Sequence, residues 1–286
     1  MSQPFPLVIV GATTLIAPYL MRRLQESGLS AEVIARSPVT VPEGFVFTQM
    51  DLTRARNWIA PEGAVVISLI PLWLLVQFLP RFMGVKSIIA LGSTSLFSKA
   101  GSVSAKERKI AADLEQAEGL VREWCKRSLV HGTLLRPTMI YDGHSDKNIA
   151  RMVGFIRRFH CLPLAAPAKG LRQPIHADDV ARAVVQAINN EGVYDKALNI
   201  AGGEVLSYRA MAERVFAAMG VKRRLVMLPT EWLMRAFNGA EKIGILRERS
   251  FGSAIFQRMN EDLVFDVEEG LRLLNYQPRK FEPEIV

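Results

Sequence analysis

Cysteine is scarce in this sequence, and no motif for a structural metal is present. Cys125 and Cys161 are the only two cysteines among the 286 residues. Neither belongs to a Cys-x-x-Cys pair, and neither lies beside a histidine or aspartate cluster with the spacing of metal ligands. We therefore predict two reduced thiols, no metal site and a cytoplasmic protein.

Acidic residues are fewer than basic ones: the chain has 28 aspartates and glutamates and 36 lysines and arginines, which gives a formal net charge of +8. The basic residues occur as scattered pairs such as Arg22-Arg23 and Arg157-Arg158, not as one tail. This excess suits an anionic small-molecule substrate, an anionic membrane surface or nucleic acid. Because no recognition helix, zinc finger or aromatic-basic motif is present, nucleic acid is the least favoured partner.

Uninterrupted hydrophobic runs of membrane-spanning length are also lacking. Residues 1–21 and 63–80 are uncharged and approach the roughly 20 residues that a spanning helix needs. The first run contains three prolines and a glycine without a basic leader, and the second is broken by Pro71 and ends at Pro80. Buried parallel strands followed by helices produce such runs. We predict no spanning helix and leave peripheral membrane contact open.

The first half of the chain alternates short β-rich runs with helical patterns. Predicted strands cover residues 7–10, 31–35, 45–50, 64–68 and 87–91. Predicted helices cover residues 14–27, a short stretch after Asp51, and residues 72–82. A long helix over residues 104–127 and a strand that ends at Pro137 follow. This alternation predicts right-handed βαβ units and a parallel sheet.

The second half is less regular and contains no repeat or linker. We predict helices over residues 148–159 and 176–190, a loop over 161–174, and a strand over 196–203. A further helix has Ser207 as its N-cap and Gly220 as its C-cap. The predicted fold is α/β: a Rossmann-type doubly wound parallel sheet with a smaller C-terminal substrate lobe. Residues 1–145 plus 172–203 would form the dinucleotide-binding domain, and residues 146–171 plus 204–286 the lobe.

The stretch "LVIVGATTLIAPYL", residues 7–20, has the outline of a dinucleotide-binding turn but keeps one of its three glycines. Gly11 can form the tight turn, whereas Thr14 and Ala17 stand where the second and third glycines are expected. The Thr14 side chain either obstructs the pyrophosphate or donates a hydrogen bond to it. The helix N-terminus still offers free amides to an anion. The predicted cofactor-binding residues of the turn are Gly11, Thr13, Thr14, Leu15 and Ile16.

Further cofactor-binding residues are predicted at the ends of the following strands. Arg36 stands where a cation can receive a 2′-phosphate, which favours NADP over NAD; it is equally well an ordinary exposed charge. Asp51 and Leu52 are placed to meet the adenine, with a plain helix cap as the alternative for Asp51. The predicted set is completed by Ser68, Leu69 and Pro137.

The segments "VIVGATTLIAPYL", "MDL", "ALGSTSLF", "LLRPTMIYD", "RQPIHADDVARAV" and "ALNIAGGEVLSY" occur in this order between about residues 7 and 220. As an ordered set they resemble the atypical or extended short-chain dehydrogenase/reductase superfamily, in particular its NAD(P)-dependent epimerase/dehydratase group. The tail "EDLVFDVEEGLRLLNYQPRKF" is also similar to the ending of that family. The resemblance implies an NADP or NAD coenzyme and a phosphate-bearing sugar substrate such as a nucleotide sugar.

In that superfamily a serine or threonine after the fifth strand cooperates with a Tyr-x-x-x-Lys pair, whose lysine brings the tyrosine pKa closer to neutrality. Ser93 matches the serine position, and Thr94 is a near alternative. The helix that should carry the pair has Ile110 and Leu114 at the two positions, and no other register supplies Tyr-x-x-x-Lys. The resemblance therefore lacks its usual catalytic pair.

Three residues elsewhere are candidates to replace that pair. Tyr141 would lie near the nicotinamide, although a packing role is the favoured alternative. His176 is placed on the substrate side, with a buried, hydrogen-bonded histidine as its alternative. Lys99 follows "TSLFS" closely enough to reach the pocket, or is a solvated loop lysine.

The resemblance also places two residues against the substrate. Asn148 and Arg172 match positions that face the substrate in sugar-nucleotide epimerases, where an amide and an arginine fork suit a diphosphate; the alternative is an exposed basic face. A helix near Trp232, with Phe237 and Ile243 at helical spacing, packs on the lobe or lies on a membrane.

Two functions follow as alternatives. The first is an NAD(P)-binding oxidoreductase of the epimerase/dehydratase type, in which Ser93 polarises the substrate oxygen. The second is a catalytically silent NAD(P)-binding sensor or assembly protein, which the missing Tyr-x-x-x-Lys pair favours. A third hypothesis is that the chain binds no nucleotide, because Thr14 blocks the phosphate position.

Overall fold

A computed structural model describes residues 5–55, 57–242 and 254–285. Its thirteen strands, in chain order, are β1 Leu7–Val10, β2 Glu32–Ala35, β3 Val46–Gln49, β4 Val65–Ser68, β5 Ser87–Leu91, β6 His131–Pro137, β7 Ile140–Tyr141, β8 Leu162–Ala165, β9 Leu171–Arg172, β10 Ile175–His176, β11 Ala197–Ile200, β12 Leu206–Ser207 and β13 Leu225–Leu228. Its helices are α1 Ala17–Glu26, α2 Leu72–Phe78, α3 Ser95–Ser98, α4 Ala105–Ser128, α5 Ile149–Phe159, α6 Ala177–Ala187, α7 Tyr208–Ala218, α8 Thr230–Lys242, α9 Ala254–Arg258 and α10 Glu268–Leu274. Short 3-10 helices span Leu79–Phe82 and Glu191–Val193.

Seven strands form one parallel sheet in the order β3-β2-β1-β4-β5-β6-β11. The chain moves outward from β1 to β3, then returns to β4 on the other side of β1. This reversal creates a crevice at the carboxyl ends of β1 and β4, where open α/β sheets bind ligands. The predicted Rossmann-type doubly wound sheet is confirmed.

Alternate residues of the central strands pack into two separate cores, one on each face of the sheet. Along β1, Ile9 belongs to the core under α1 and α6, while Val8 and Val10 belong to the core under α2 and α4. This division follows from the two-residue period of a strand. Burial of each such side chain contributes about 1.5–3 kcal/mol to the stability of the fold, so the two cores stabilise the sheet.

A third core lies in the C-terminal lobe. It joins α5 and α7 to the two-stranded sheet of β8 and β13, with Met152, Val215 and Phe216 among its buried side chains. Ser207 caps α7, because its hydroxyl accepts a hydrogen bond from the amide of Ala210 at 3.1 Å. The predicted cap is confirmed. The boundary positions between domain and lobe stay predictions.

A buried ion cluster links α1, α6 and the C-terminal tail. The Asp178 carboxylate, whose side chain is 3% exposed, accepts hydrogen bonds from Arg22 at 3.0 Å and from Arg23 at 2.8 and 2.5 Å. Arg279 donates to Asp178 at 2.5 Å and also to Asp179. The acidic first turn of α6 therefore holds three arginines from two other segments.

Three predicted elements differ from the structure. The helix predicted from Thr14 begins at Ala17, because Pro18 lacks an N–H and is tolerated only in a first turn. The stretch after Asp51 forms a single turn and not a helix, and the Ala55 amide donates to the Asp51 carbonyl at 2.9 Å. So short a helical stretch has little stability on its own. The predicted loop over residues 161–174 contains β8 and β9, which pair with the distant strands β13 and β12.

The two uncharged runs are divided between strands and helices. Residues 63–80 contain β4 and α2, and the described part of the first run contains β1 and the beginning of α1. Within the described ranges, no helix has both the length and the apolar character needed to cross a bilayer.

Candidate functional site

A large cleft opens at the carboxyl edge of the sheet, between the glycine turn and the lobe. Its volume is about 1120 Å³, slightly above the roughly 300–1,000 Å³ of ordinary ligand pockets. Four groups of residues line it: the turn after β1, the segment after β5 that includes Ser93, the stretch between Thr138 and Met152, and Arg172 with side chains of the lobe such as Tyr208 and Arg258. The cleft therefore connects the predicted phosphate turn with the predicted substrate residues.

The turn itself depends on Gly11, which has a φ of +93°. A Cβ at this position would lie 2.6 Å from the Ile70 Cγ2 atom and 3.0 Å from the Ile70 backbone nitrogen. Both the backbone conformation and the neighbouring chain therefore require glycine. Gly11 lies behind the cleft wall and shapes the turn without lining the cleft.

Thr14 stands in the cleft wall beside Thr13 and Leu15. Its Oγ1 atom is buried and has no hydrogen-bond partner among the described residues. A buried hydroxyl without a partner is costly, and a phosphate oxygen is a suitable acceptor for it. Since the cleft keeps its volume with Thr14 in the wall, the side chain does not fill it and leaves room for an anionic ligand. The cofactor roles of the residues of this turn stay predictions. Ile16 is 5% exposed and packs in the core.

The predicted adenine end lies outside the cleft. Arg36 follows β2 and is exposed. The Asp51 carboxylate accepts hydrogen bonds from the Thr53 amide at 2.9 Å and the Thr53 hydroxyl at 2.6 Å, and these bonds lower the pKa of Asp51. Leu52 packs in the core under α2 and α4. The cofactor roles of these residues stay predictions.

Three other predicted cofactor residues are buried close behind the cleft. Ser68 is fully buried at the end of β4, and its hydroxyl has no partner among the described residues. Leu69 packs in the core beneath α1. The carbonyl of Pro137 accepts hydrogen bonds from the amide and the hydroxyl of Thr94, both at 3.2 Å. None of the three lines the cleft, and their cofactor roles stay predictions.

The segment after β5 separates the two hydroxyl candidates. The Thr94 hydroxyl is occupied because it donates to the Pro137 carbonyl, and its side chain is buried. Ser93 Oγ accepts a hydrogen bond from the Ser95 amide at 3.1 Å, which leaves its own proton available to a ligand. Both residues line the cleft, but Ser93 has the geometry to donate into it.

Helix α4, which would carry the Tyr-x-x-x-Lys pair, contributes no side chain to the cleft. Ile110 is 36% exposed, and Leu114 packs towards the core under α2 and α4. The two positions that the family alignment assigned to tyrosine and lysine therefore hold apolar side chains that do not line the cleft.

Tyr141 and His176 are packed against each other behind the cleft, with ring centroids 5.1 Å apart. The Tyr141 hydroxyl lies 3.4 Å from the Glu282 amide, and burial raises the pKa of Tyr141 to about 12. His176 Nδ1 accepts a hydrogen bond from the Asp178 amide at 3.1 Å and so caps α6, while burial and then Arg279 lower the pKa of His176. Neither ring lines the cleft. Their catalytic and substrate roles stay predictions, and their positions match the packing alternatives.

Arg172 supplies the strongest electrostatic feature of the cleft. It is 5% exposed, and its guanidinium donates to the carbonyls of Leu171 and Glu261, both at 2.7 Å, and of Arg258. Its guanidinium carbon also lies 5.2 Å from the centre of the Tyr208 ring. No described carboxylate forms an ion pair with Arg172, and burial lowers the pKa of Arg172 to about 10. A buried cation without a paired charge is costly, so an anionic ligand would stabilise it.

Asn148 also lines the cleft, at the beginning of α5. Its Nδ2 atom lies 3.4 Å from the carbonyl of Ile140, a long contact that holds the amide in place. The Oδ1 atom makes no hydrogen bond to a described residue. The structure thus brings together Ser93, Asn148 and Arg172 with the phosphate turn.

Several cleft residues were missed or left open by the sequence. Lys99 was an open alternative and lines the cleft; Tyr19, Tyr208 and Arg258 were not singled out, and they line it too. Arg258 has no local signal, because it meets Arg172 across 86 positions of sequence. Tyr208 directly follows the predicted cap Ser207, so its position at the beginning of α7 was the one available signal.

Comparison with known proteins identifies structures of the same fold and one curated protein that is similar to part of the chain. No protein-family model matches the chain. One curated relative, the mitochondrial NADH dehydrogenase [ubiquinone] 1 alpha subcomplex subunit 9 of Arabidopsis thaliana, is 28% identical over 130 residues. That match covers 45% of this chain and only 31% of the relative, so less than a third of the relative's length is represented.

Solved structures of UDP-sugar epimerases have the same fold. UDP-glucose 4-epimerase from Thermotoga maritima, solved with UDP-glucose, has a TM-score of 0.69 at 14% identity and covers 98% of this chain and 96% of its own. UDP-glucuronic acid 4-epimerase from Bacillus cereus, solved with UDP-glucuronic acid and NAD, has a TM-score of 0.69 at 15% identity, with 97% and 95% covered. The UDP-N-acetylglucosamine 4-epimerase of Bacillus cereus gives 0.67 at 15% identity, with 96% and 94% covered.

Proposed function

We propose that this chain is an NAD(P)-binding oxidoreductase of the epimerase/dehydratase type that acts on a phosphate-bearing sugar derivative such as a nucleotide sugar. The observation that carries the proposal is one continuous cleft, with a glycine turn in one wall and a buried, unpaired arginine in the other. A turn of this kind suits a dinucleotide phosphate, and an unpaired buried arginine suits a second phosphate. Structural likeness to enzymes solved with UDP-sugars and NAD supports the same reading.

The coenzyme would lie along the turn, where the Thr14 hydroxyl donates to a phosphate oxygen. When bound, NAD or NADP supplies the position that accepts and returns a hydride. The exposed Arg36 at the end of β2 would favour NADP through its 2′-phosphate, whereas one of the similar enzymes was solved with NAD. Titration of the unmodified chain and of Arg36→Ala with NAD and with NADP decides between the two coenzymes.

The substrate phosphate would lie against Arg172. Three of its five N–H donors are used by carbonyls, which leaves two to bind a phosphate oxygen. Asn148 adds an amide on the same side of the cleft, and Ser93 would donate to the sugar oxygen at the reacting carbon. These groups bind and orient the sugar while the coenzyme carries the redox change.

Isothermal titration with UDP and UDP-glucose tests the substrate half of the proposal. Arg172→Met should weaken UDP binding about 10- to 100-fold, because a charge-assisted hydrogen bond contributes about 1.5–3 kcal/mol. Arg122→Met, which removes an exposed arginine of α4, is the matched control and should bind as the unmodified chain does. Equal UDP affinities for the two variants would contradict the assignment.

Thr14 variants test the coenzyme half. Thr14→Val keeps the shape and removes the hydroxyl, and it should weaken NAD(P)H binding about 10-fold, whereas Thr14→Ser should not. A Thr14→Gly variant that gains coenzyme affinity would instead favour the reading in which threonine obstructs the phosphate.

The second candidate function is a catalytically silent dinucleotide-binding protein that acts as a sensor or an assembly partner. It is favoured by one observation: α4 contributes nothing to the cleft, so the usual tyrosine and lysine have no counterpart there. Saturable NADPH binding without turnover of UDP-glucose or UDP-glucuronic acid, together with a defined protein partner, would support it. Hydride transfer that is abolished by Ser93→Ala would exclude it.

A further inference from the structure

Lys99 lies at the end of α3, one and a half turns after Ser93, and both side chains line the cleft. The short helix fixes their relation: the amide of Lys99 donates to the Ser95 carbonyl at 3.0 Å, and the amide of Ser98 donates to the Thr94 carbonyl at 3.1 Å. The backbone that carries Lys99 is therefore fixed in the same cleft wall as Ser93, and the four-carbon stem of the lysine extends from it.

The surroundings of Lys99 leave its amine free to act. Glu107 on α4, the carboxylate that acts on Lys99, is already bound by Arg258 on α9, and the side chains of Glu107 and Arg258 are 15% and 18% exposed. The Lys99 side chain makes no hydrogen bond or ion pair with a described residue. Burial lowers the pKa of Lys99 below its ordinary value; Glu107 opposes this, and Arg258 adds to it. Arg172 and Lys147 are further cations in the cleft wall.

The other titratable groups of the cleft are less suited to transfer a proton near neutral pH. Burial and then Asp142 raise the pKa of Tyr19, and burial raises that of Tyr208 to about 12. The carboxylates of Asp142 and Asp146 are occupied by loop amides, including that of Ser145 at 2.9 Å and that of Ile149 at 2.6 Å. His144 and Lys147 are exposed residues that also line the cleft, and they are the groups against which Lys99 is tested.

On the basis of the proposed function, we propose that Lys99 is the acid–base residue of this cleft and takes the place of the tyrosine that α4 lacks. The neutral amine accepts the proton of the substrate hydroxyl that Ser93 orients. As that O–H bond breaks, the C–H bond of the same carbon breaks too, and its electron pair passes to the oxidised nicotinamide. A carbonyl forms, the coenzyme is reduced, and Lys99 becomes an ammonium. In the reverse step the ammonium returns the proton to the oxygen as the hydride returns to carbon.

A first test measures the titration of the Lys99 amine, in the absence of coenzyme and of turnover. Lysines are reductively methylated with ¹³C-formaldehyde, and the signal that disappears in Lys99→Arg is followed by NMR over pH. We expect it to titrate below the signal of Lys106, an exposed lysine of α4 outside the cleft. A Lys99 signal that titrates together with Lys106 would overturn the proposal.

A second test uses NAD⁺ and UDP-glucose as probes under single-turnover conditions, with NADH absorbance as the signal. Lys99→Ala should slow hydride transfer about 10²- to 10⁴-fold, as loss of a general base does, and should leave NADH affinity within about threefold. In the unmodified chain the rate should rise with pH through the pKa of Lys99, and that rise should be absent in the variant. Added ethylamine should partly restore Lys99→Ala, which a merely structural role would not produce.

Controls separate the proposal from its premise. Lys106→Ala should keep the rate, and His144→Gln and Lys147→Ala should each keep both the rate and the pH profile. If the chain binds coenzyme and transfers hydride but Lys99→Ala is unimpaired, or His144→Gln or Lys147→Ala carries the loss, Lys99 is excluded while the proposed function stands. If the unmodified chain binds NADH but transfers no hydride, the acid–base role is excluded and the silent alternative is favoured. If no coenzyme binds, both proposals fall together.

Discussion

The substitution Gly11→Ala should destabilise the chain for two reasons, the left-handed backbone of Gly11 and the close approach of Ile70. The φ of +93° disfavours any L side chain by about 1–2 kcal/mol. The new Cβ would also lie 2.6 Å from Ile70 Cγ2 and 3.0 Å from the Ile70 backbone nitrogen, and forced overpacking of this kind costs about 1–3 kcal/mol. We therefore expect a loss of about 2–5 kcal/mol in the free energy of unfolding.

Gly28→Ala is the matched control, because Gly28 has a φ of +70° and nothing within 4 Å of an added Cβ. It should lose only the backbone component, about 1–2 kcal/mol. Urea unfolding followed by circular dichroism measures both losses. The double variant Gly11→Ala with Ile70→Ala should recover part of the difference, since one of the two clashing atoms is removed. Equal losses for Gly11→Ala and Gly28→Ala would refute the close approach of Ile70.

Two further predictions concern stability and chemistry. Burial alone would raise the pKa of Asp178, but hydrogen bonds from Arg23, Arg22 and Arg279 outweigh it and hold that pKa well below its ordinary range. Because the folded pKa lies below the unfolded one, this contribution is fully present above about pH 5 and is lost as the pH falls. Asp178→Asn leaves arginines that are 26–53% exposed, so it should cost about 1.5–3 kcal/mol at pH 7. It should also flatten the acid limb of a stability profile measured by urea unfolding. Ser93→Ala should lower the rate of NADH formation about 10²-fold with UDP affinity unchanged, and an unchanged rate would exclude Ser93 from the reaction.

The central sheet was predictable from local patterns, because its inner strands β1, β4 and β5 are short and mostly apolar runs with turn residues on either side. The two-layer burial of Val8, Ile9 and Val10 produces a continuous apolar run, which is typical of a parallel strand covered on both faces. The lobe was harder, since β8 is stabilised by β13, and nothing near residue 162 indicates a partner at residue 225.

The candidate site was predictable where single residues determine the backbone, and not where distant segments meet. Gly11 could be identified from the turn that it must form. The partner of the Tyr141 hydroxyl could not, because its contact with the Glu282 amide spans 141 positions of sequence. The ion pair of Glu107 and Arg258 spans 151 positions and likewise has no local pattern. The charge distribution beside the cleft therefore depends on contacts between segments that are distant in sequence, and local patterns do not predict it.

The central claim is that the turn at Gly11 holds a dinucleotide phosphate with Thr14 in its wall. A crystal structure of the chain soaked with NADH and, separately, with NADPH tests this most directly. The account predicts pyrophosphate density in contact with the amides of residues 13–15 and the Thr14 hydroxyl, with the nicotinamide directed towards Ser93. Density that shows an empty cleft at saturating coenzyme, with the Thr14 side chain in the phosphate position, would contradict it.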